Sequence, residues 1–374
     1  MGNKVLFTAS TYSHIRNFHL PYLEHFQNSG WTVHIGCANI PNEITAAADR
    51  IIPLPFEKRM SSPSNLRAAS LLRNIITEEN YDLVITHTSL AAFFTRLAVI
   101  GLRNRPYIIN MVHGYLFDDD TSPIKKQVLL TAERVTAPVT DLLLTMNQWD
   151  YETAQRYHLG KQVANISGIG VDFSRIQSSD LEAEQLRTDL GIHRDDFVLI
   201  YAAEFSARKS QQVLIEAMKE LPSNAVLVLP GDGTLLQHCK DLAVSLGVRV
   251  IFPGYVPDMQ RWYGIANAAV SSSRSEGLPF NIMEAMYCGL PIVASQVKGH
   301  VDLLSHSESG LLYPYGNSSA FAQCVQELMD SPELVSTLSE RARRAVEPYA
   351  LDHVLPEVFH YYESFSPIVT APTR

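Results

Sequence analysis

Cysteine is scarce: only four occur among 374 residues, at positions 37, 239, 288 and 324, and no two show CxxC spacing. That dispersal excludes a disulfide framework and a cysteine-based zinc site, so reduced, buried thiols in a cytoplasm are expected. Long apolar runs are also missing. The most apolar span, 90–102, is interrupted by Arg96, and no basic stretch followed by an apolar one opens the chain. Neither a signal peptide nor a membrane-spanning helix is therefore expected. Basic residues are outnumbered, 30 Lys and Arg against 39 Asp and Glu, for a net charge of −9. A nucleic-acid partner would call for a basic stripe, and none is present.

The deficit of positive charge is uneven. Through Phe173 there are 15 basic and 15 acidic residues, and after it 15 against 24. One run free of acids, Lys58, Arg59, Arg67 and Arg73, is interleaved with Met60, Leu66, Leu71 and Leu72. It reads either as a solvated helix or as a membrane-facing patch.

What the chain does have is rhythm. Short apolar runs at 5–9, 32–36, 83–86, 107–111 and 142–145 alternate with amphipathic stretches, and the pattern restarts at 198–202, 225–229, 248–252, 268–271 and 291–294. Such alternation predicts parallel sheets covered by helices on both faces. A length of 374 residues exceeds what one core usually holds. Two Rossmann-like, doubly wound α/β domains are expected, 1–172 and 173–350, facing each other across a cleft. A C-terminal helix and tail, 351–374, would be free to return to the first domain, its end beyond Pro367 frayed.

The densest chemistry lies in 275–289, SEGLPFNIMEAMYCG. Pro279 suits the first position of a helix that Gly289 ends, with Ile282, Ala285 and Met286 as its apolar stripe. Glu284 then sits within a short apolar helix, where a carboxylate is costly to bury unless donors reach it; the hydroxyls of a ribose would be two. Glu276 lies in the preceding loop beside Gly277. The N–H groups of Leu278, Phe280 and Asn281 at the helix start suit a phosphate.

This segment resembles the signature of glycosyltransferase family 4, two glutamates separated by seven residues and followed by AMYCGLPIVAS. Its surroundings resemble the second domain of that family in order: PGDGTLLQHCKDLAVSLGVRVIFPGYV, a helix over 259–266, AAVSSSRSEGLPF, then SGLLYP. The resemblance implies the two-domain GT-B fold and transfer of a sugar from a nucleotide donor. It implies that Glu284 binds the ribose, that Glu276 contacts the transferred sugar, and that main-chain groups of Val256, after Gly254 and Tyr255, read the nucleobase. It places the turn of Gly231, Asp232 and Gly233 at the mouth of the nucleotide pocket, with Gly277, Leu278, Pro279 and Phe280 on the donor. Arg208 and Lys209 precede an amphipathic helix over 210–218, and two cations at a helix start oppose its dipole, a conflict that a nearby anion would resolve. Lys209 matches a lysine that the family sets on the diphosphate, but Glu204 stands where the family usually has an arginine. Arg208 is the candidate to compensate.

The first half resembles the capsule and exopolysaccharide branch of the same family through SHIRNFHLPYL, ITHTSLAAFFTRLA, VHGYLF and NQWDYETA. The resemblance implies that His113 lies against the donor sugar. His14, Arg16 and His19 follow the first strand and would meet acceptor hydroxyls or phosphate, with Arg59 alongside, and His87 occupies a similar strand end. Asp118, Asp119 and Asp120 formally contain an Asp-x-Asp metal motif, but the position before a helix at Pro123 reads as a solvated turn. No metal and no cofactor are expected. The branch implies retention of configuration, a UDP-sugar donor, a polyprenyl-diphosphate-linked saccharide acceptor and a site of action at the cytoplasmic membrane surface. A sugar-nucleotide epimerase of the same fold and a silent nucleotide-sugar-binding protein stay open as alternatives.

Overall fold

The computed structural model of the chain describes residues 3–44, 46–176 and 180–364. The tail beyond Pro367 lies outside them. The chain divides into two compact units, Met1–Gly170 with Asp352–Arg374, and Val171–Leu351.

The first unit is a seven-stranded parallel sheet built from β1 (Lys4–Thr11), β2 (Thr32–Ala38), β3 (Arg50–Pro53), β4 (Leu83–His87), β5 (Tyr107–Met111), β6 (Leu142–Thr145) and β7 (Gln162–Asn165), in the order β3-β2-β1-β4-β5-β6-β7. Its central strands are apolar almost throughout because helices cover both faces, so neither face needs a polar alternation. Leu6, Val84 and Ile108 are fully buried. The apolar span 90–102 is accounted for here. It forms the helix Ser89–Val99, in which Arg96 is wholly buried and bonds Glu133 at 2.8 Å and the Ala92 carbonyl at 3.0 Å. Among the described residues no helix is long and apolar enough to cross a membrane.

The second unit is a six-stranded parallel sheet of β8 (Phe197–Ile200), β9 (Ala225–Pro230), β10 (Val250–Gly254), β11 (Ala268–Ser271), β12 (Ile292–Ser295) and β13 (Leu311–Tyr313), in the order β10-β9-β8-β11-β12-β13. This is the doubly wound Rossmann order, and the fold class is the one the alternating pattern predicts. In each unit the strand order reverses once, between β1 and β4 and between β8 and β11. Helices leave in opposite directions there, so the loops splay apart and open a crevice at the carboxyl ends of the strands.

The second unit begins and ends on one pair of bonds: Val171 N–H donates to the Tyr349 carbonyl and Leu351 N–H to the Val171 carbonyl, both at 2.9 Å. The closing helix Leu351–Ser364 then packs on Leu20–Asn28 of the first unit. Phe359 stacks on His25 with ring centroids 3.5 Å apart, and Tyr362 stacks on Phe26. Cys37 and Cys239 are buried, whereas Cys288 and Cys324 are only partly so, and all four are free thiols.

Candidate functional site

In the second unit the loops after β8 and β11 meet at the strand-order reversal. Lys209 Nζ lies 2.5 Å from Glu276 Oε1, and Arg208 Nη1 lies 2.7 Å from Oε2. The anion that would resolve two cations at a helix start is thus Glu276 itself, 67 residues on from Lys209. The helix is shorter than 210–218, running Gln211–Ala217, because Ser210 adopts a left-handed φ of 50°. Burial opposes ionisation of Glu276, but Lys209 and Arg208 outweigh it and hold the carboxyl at a pKa of about 2.

Two serines of SSSRSE support this cluster. Ser273 Oγ donates to Glu276 Oε1 at 2.5 Å and meets the Tyr201 hydroxyl at 2.7 Å, while Ser272 Oγ donates to the Lys209 and Ser210 carbonyls. Behind them lies His300, whose Nδ1 is 2.7 Å from the Ser295 carbonyl, which can only accept; Nδ1 therefore carries the proton. Gly299, at φ 83°, packs so closely that a Cβ there would come within 2.8 Å of Glu276 Cβ. Tyr201, Gly299 and His300 were not legible as site residues, since their role rests on contacts across separate loops, and nothing in the serine run marks Ser273 as the one that turns back to Glu276.

Glu284 lies on the helix Phe280–Tyr287, half-buried, and accepts from the Tyr263 hydroxyl at 3.0 Å. Burial raises its pKa, an effect the tyrosine bond partly offsets. The helix begins one residue later than the sequence suggests. Pro279 is its N-cap in an extended conformation, no side chain caps that end, and Asn281 Nδ2 ties the first turn to the Ala202 carbonyl at 3.0 Å. Gly277 is half-buried and Leu278 buried beside it. The Gly231 N–H donates to the Gly254 carbonyl at 2.7 Å, which brings the glycine turn against the loop of Tyr255 and Val256. Tyr255 is 76% exposed, so packing does not explain it. A Cβ at Gly231, φ 145°, would collide with the Ala203 carbonyl. Glu204 is exposed and apart from this cluster's hydrogen bonds except through its carbonyl, which accepts from Gln211 Nε2.

In the first unit the crevice ends of β1, β4 and β5 bring four imidazoles together. His14 and His113 rings are 4.8 Å apart, His19 and His87 stack at 3.7 Å, and His87 Nδ1 lies 3.3 Å from His113 Nε2. Burial drives the pKa of all four down, that of His14 to about 4. Thr88, at φ 62°, holds a strained conformation beside them and is pinned by Ser10 N–H and Oγ. A cavity of about 580 Å³ opens next to it, lined by Ser10, Thr11, Lys58, Arg59 and Ser89. Arg16 is exposed on the first helix and bonds Asn17, and exposed Arg59 bonds Ser61. The acidic turn is structurally occupied. Asp119 accepts from Lys126 and from the Trp149 indole, both at 2.9 Å, and Asp118 exchanges bonds with Thr121.

Comparison with known proteins agrees with both halves of this description. Residues 182–345 match the family model described as glycosyl transferases group 1, and 20–164 match a glycosyl transferase 4-like domain. EpsD of Bacillus subtilis, which bears the name of a glycosyltransferase, is 32% identical over 98% of this chain and 97% of its own length. An Escherichia coli UDP-Gal:α-D-GlcNAc-diphosphoundecaprenol α-1,3-galactosyltransferase is 23% identical over 77% of this chain and 76% of its own. Among solved structures, Anabaena HepE in complex with UDP and glucose superposes with a TM-score of 0.81 at 20% identity, covering 97% of this chain and all of the other. A sucrose-phosphate synthase of Thermosynechococcus elongatus gives 0.80 at 20% identity, covering 97% of this chain and 98% of its own.

Proposed function

Because the chain belongs to glycosyltransferase family 4 and has the GT-B fold, we propose that it transfers a hexose or N-acetylhexosamine, with retention of configuration, from a UDP-sugar to a polyprenyl-diphosphate-linked saccharide, in the assembly of a bacterial exopolysaccharide, capsule or O-antigen. The observation that carries the reading is the Glu276, Lys209 and Arg208 cluster at the β8/β11 reversal. One carboxylate against two cations leaves the cluster net positive. A diphosphate leaving group develops negative charge as the glycosidic bond breaks, and preorganised cations in a water-poor site stabilise that charge most. Lys209 and Arg208 would turn toward it while Glu276 meets the transferred sugar, and Glu284 would take the ribose hydroxyls beside Tyr263. Val256, Tyr255 and Gly231 would frame the base. The UDP in the HepE complex and the UDP-sugar in the E. coli enzyme's name support this donor.

In the first unit, the proposed acceptor side is the cavity of Ser10, Lys58 and Arg59 with His14, His19 and Arg16 nearby, and His113 would face the donor sugar. Hydroxyls and cations together suit a phosphorylated glycan, and the diphosphoundecaprenol in the relative's name supports a lipid carrier. Docking at a cytoplasmic membrane face would use the helix Pro63–Glu79, on which Leu66 and Leu71 are 60% and 43% exposed beside Arg67. Arg73 is committed elsewhere, since it donates to the Ala98 and Ile100 carbonyls. Measuring UDP release from a panel of UDP-sugars, with and without extracted polyprenyl-linked saccharides, tests the proposal. Release that depends on the acceptor is expected. Conversion of the donor to an epimer without any acceptor would replace the transferase reading with the epimerase one.

A further inference from the structure

The four histidines of the first unit form a set with a chemistry beyond the sugar contacts proposed for His14, His19 and His113. His19 and His87 are fully buried. Both ring nitrogens of His19, Nε2 of His87 and Nε2 of His14 are buried without a hydrogen-bond partner. Leaving a buried polar atom unpaired costs about 1–3 kcal/mol, so three rings with such atoms at one spot point to a ligand, each neutral ring having one lone pair to give it. The ligand atoms of the four rings all lie within 4.8 Å of one another. A tetrahedral shell with metal–nitrogen bonds of about 2.0 Å puts its ligands roughly 3.3 Å apart. His87 Nδ1 and His113 Nε2 already have that 3.3 Å spacing. The remaining gaps close with shifts of about an ångström, which the half-buried His14 and His113 can make.

We propose that His14, His19, His87 and His113 constitute a binding site for a late first-row divalent ion such as Zn²⁺ or Co²⁺. Imidazole nitrogens suit these ions, and the set contains no hard oxygen donor for Mg²⁺ or Ca²⁺. The inference is independent of the proposed transfer reaction, because its readout is metal binding whether or not sugar moves. An occupied site would engage His113 and His14 and so compete with any sugar that they contact.

Untagged full-length protein, stripped with chelator and freed of it, is titrated with Co²⁺ and followed by visible absorption, then with Zn²⁺. One Co²⁺ per chain is expected, with ligand-field bands of a low-coordinate nitrogen site that Zn²⁺ bleaches. Loss of a supporting group around a metal costs 10–100-fold in affinity, so loss of a ligand in His19→Ala or His87→Gln should cost about 100-fold or more. His113→Asn, at the half-exposed rim, provides a variant that disturbs the core least, and it should also weaken binding. Circular dichroism checks each fold. Absence of a stoichiometric Co²⁺ complex in the wild type overturns the proposal. So does unchanged affinity in His87→Gln and His113→Asn together, or binding of pyrophosphate rather than metal that these same variants abolish.

Discussion

Removing the Glu276 carboxylate tests the electrostatics of the donor side quantitatively. In Glu276→Gln the side chain keeps its size, but Lys209, whose side chain is 12% exposed, loses its counter-ion; Arg208, 51% exposed, loses one that solvent largely replaces. Breaking a buried pair costs about 3–5 kcal/mol, and an exposed one about 1 or less, so a loss of roughly 3 kcal/mol of folding stability at neutral pH is expected. Linkage gives an independent figure. The carboxyl falls from its ordinary 4.5 to about 2 on folding, and a difference of that size corresponds to about 3 kcal/mol. Because the folded value is the lower one, the unfolded chain binds the proton first as pH drops. The contribution is therefore complete above pH 4.5 and disappears as pH falls from there through 2. Between pH 4 and pH 3 the wild type should lose stability faster than Glu276→Gln, by about 1 kcal/mol per pH unit. Urea titrations followed by far-UV circular dichroism at several pH values in that window measure both slopes. Parallel slopes, or a variant as stable as the wild type at pH 7, would refute the claim that these two cations hold the carboxylate ionised.

Other outcomes follow from the same geometry. Glu284→Ala should weaken UDP binding by about 10–100-fold, as expected for loss of charge-assisted bonds to a diol, with Glu276→Ala slowing transfer more than it weakens UDP; calorimetry with UDP decides, and unchanged affinity in the Glu284 variant removes its assigned role. Gly231→Ala drives a methyl into the Ala203 carbonyl at a φ that side chains rarely adopt, so thermal stability and UDP affinity should fall together. Transfer should persist in excess EDTA, because Lys209, Arg208 and the helix start at Phe280 supply the positive potential; activity lost to EDTA and restored by magnesium or manganese would contradict this. Replacing Lys58, Arg59 and Arg67 with Gln, and leaving Arg73 to its carbonyls, should lower binding to anionic vesicles by roughly a hundredfold at low salt. The difference should shrink at high salt, and equal sedimentation of both proteins would show the run to be an ordinary solvated surface.

The ten strands read from sequence are the long or central ones, where helices on both faces force unbroken apolar runs such as AVLVLP in β9. The three not foreseen, β3, β7 and β13, are edge strands of three or four residues. In β3 and β7 polar residues sit among the apolar ones, so no periodic signal survives. At the site, Glu276 and Glu284 were legible because seven residues of loop and helix carry them together. Their supports were not. The Tyr201–Ser273 bond joins the ends of β8 and β11, the packing of Gly299 joins the loops after β11 and β12, and the four histidines are spread over 100 residues until β1, β4 and β5 align their crevice ends. Register in a sheet makes such meetings, and a linear pattern does not record them.

The central claim, acceptor-dependent transfer from a UDP-sugar, is tested most directly with radiolabelled UDP-sugars and extracted polyprenyl-diphosphate saccharides, followed by organic extraction and digestion of the lipid fraction with anomer-specific glycosidases. The account predicts that label from one UDP-sugar enters the lipid fraction in the same anomeric configuration as in the donor, and that Glu276→Ala and Lys209→Ala abolish the incorporation. Label that stays water-soluble for every donor, or that enters the lipid with inverted configuration, would contradict it.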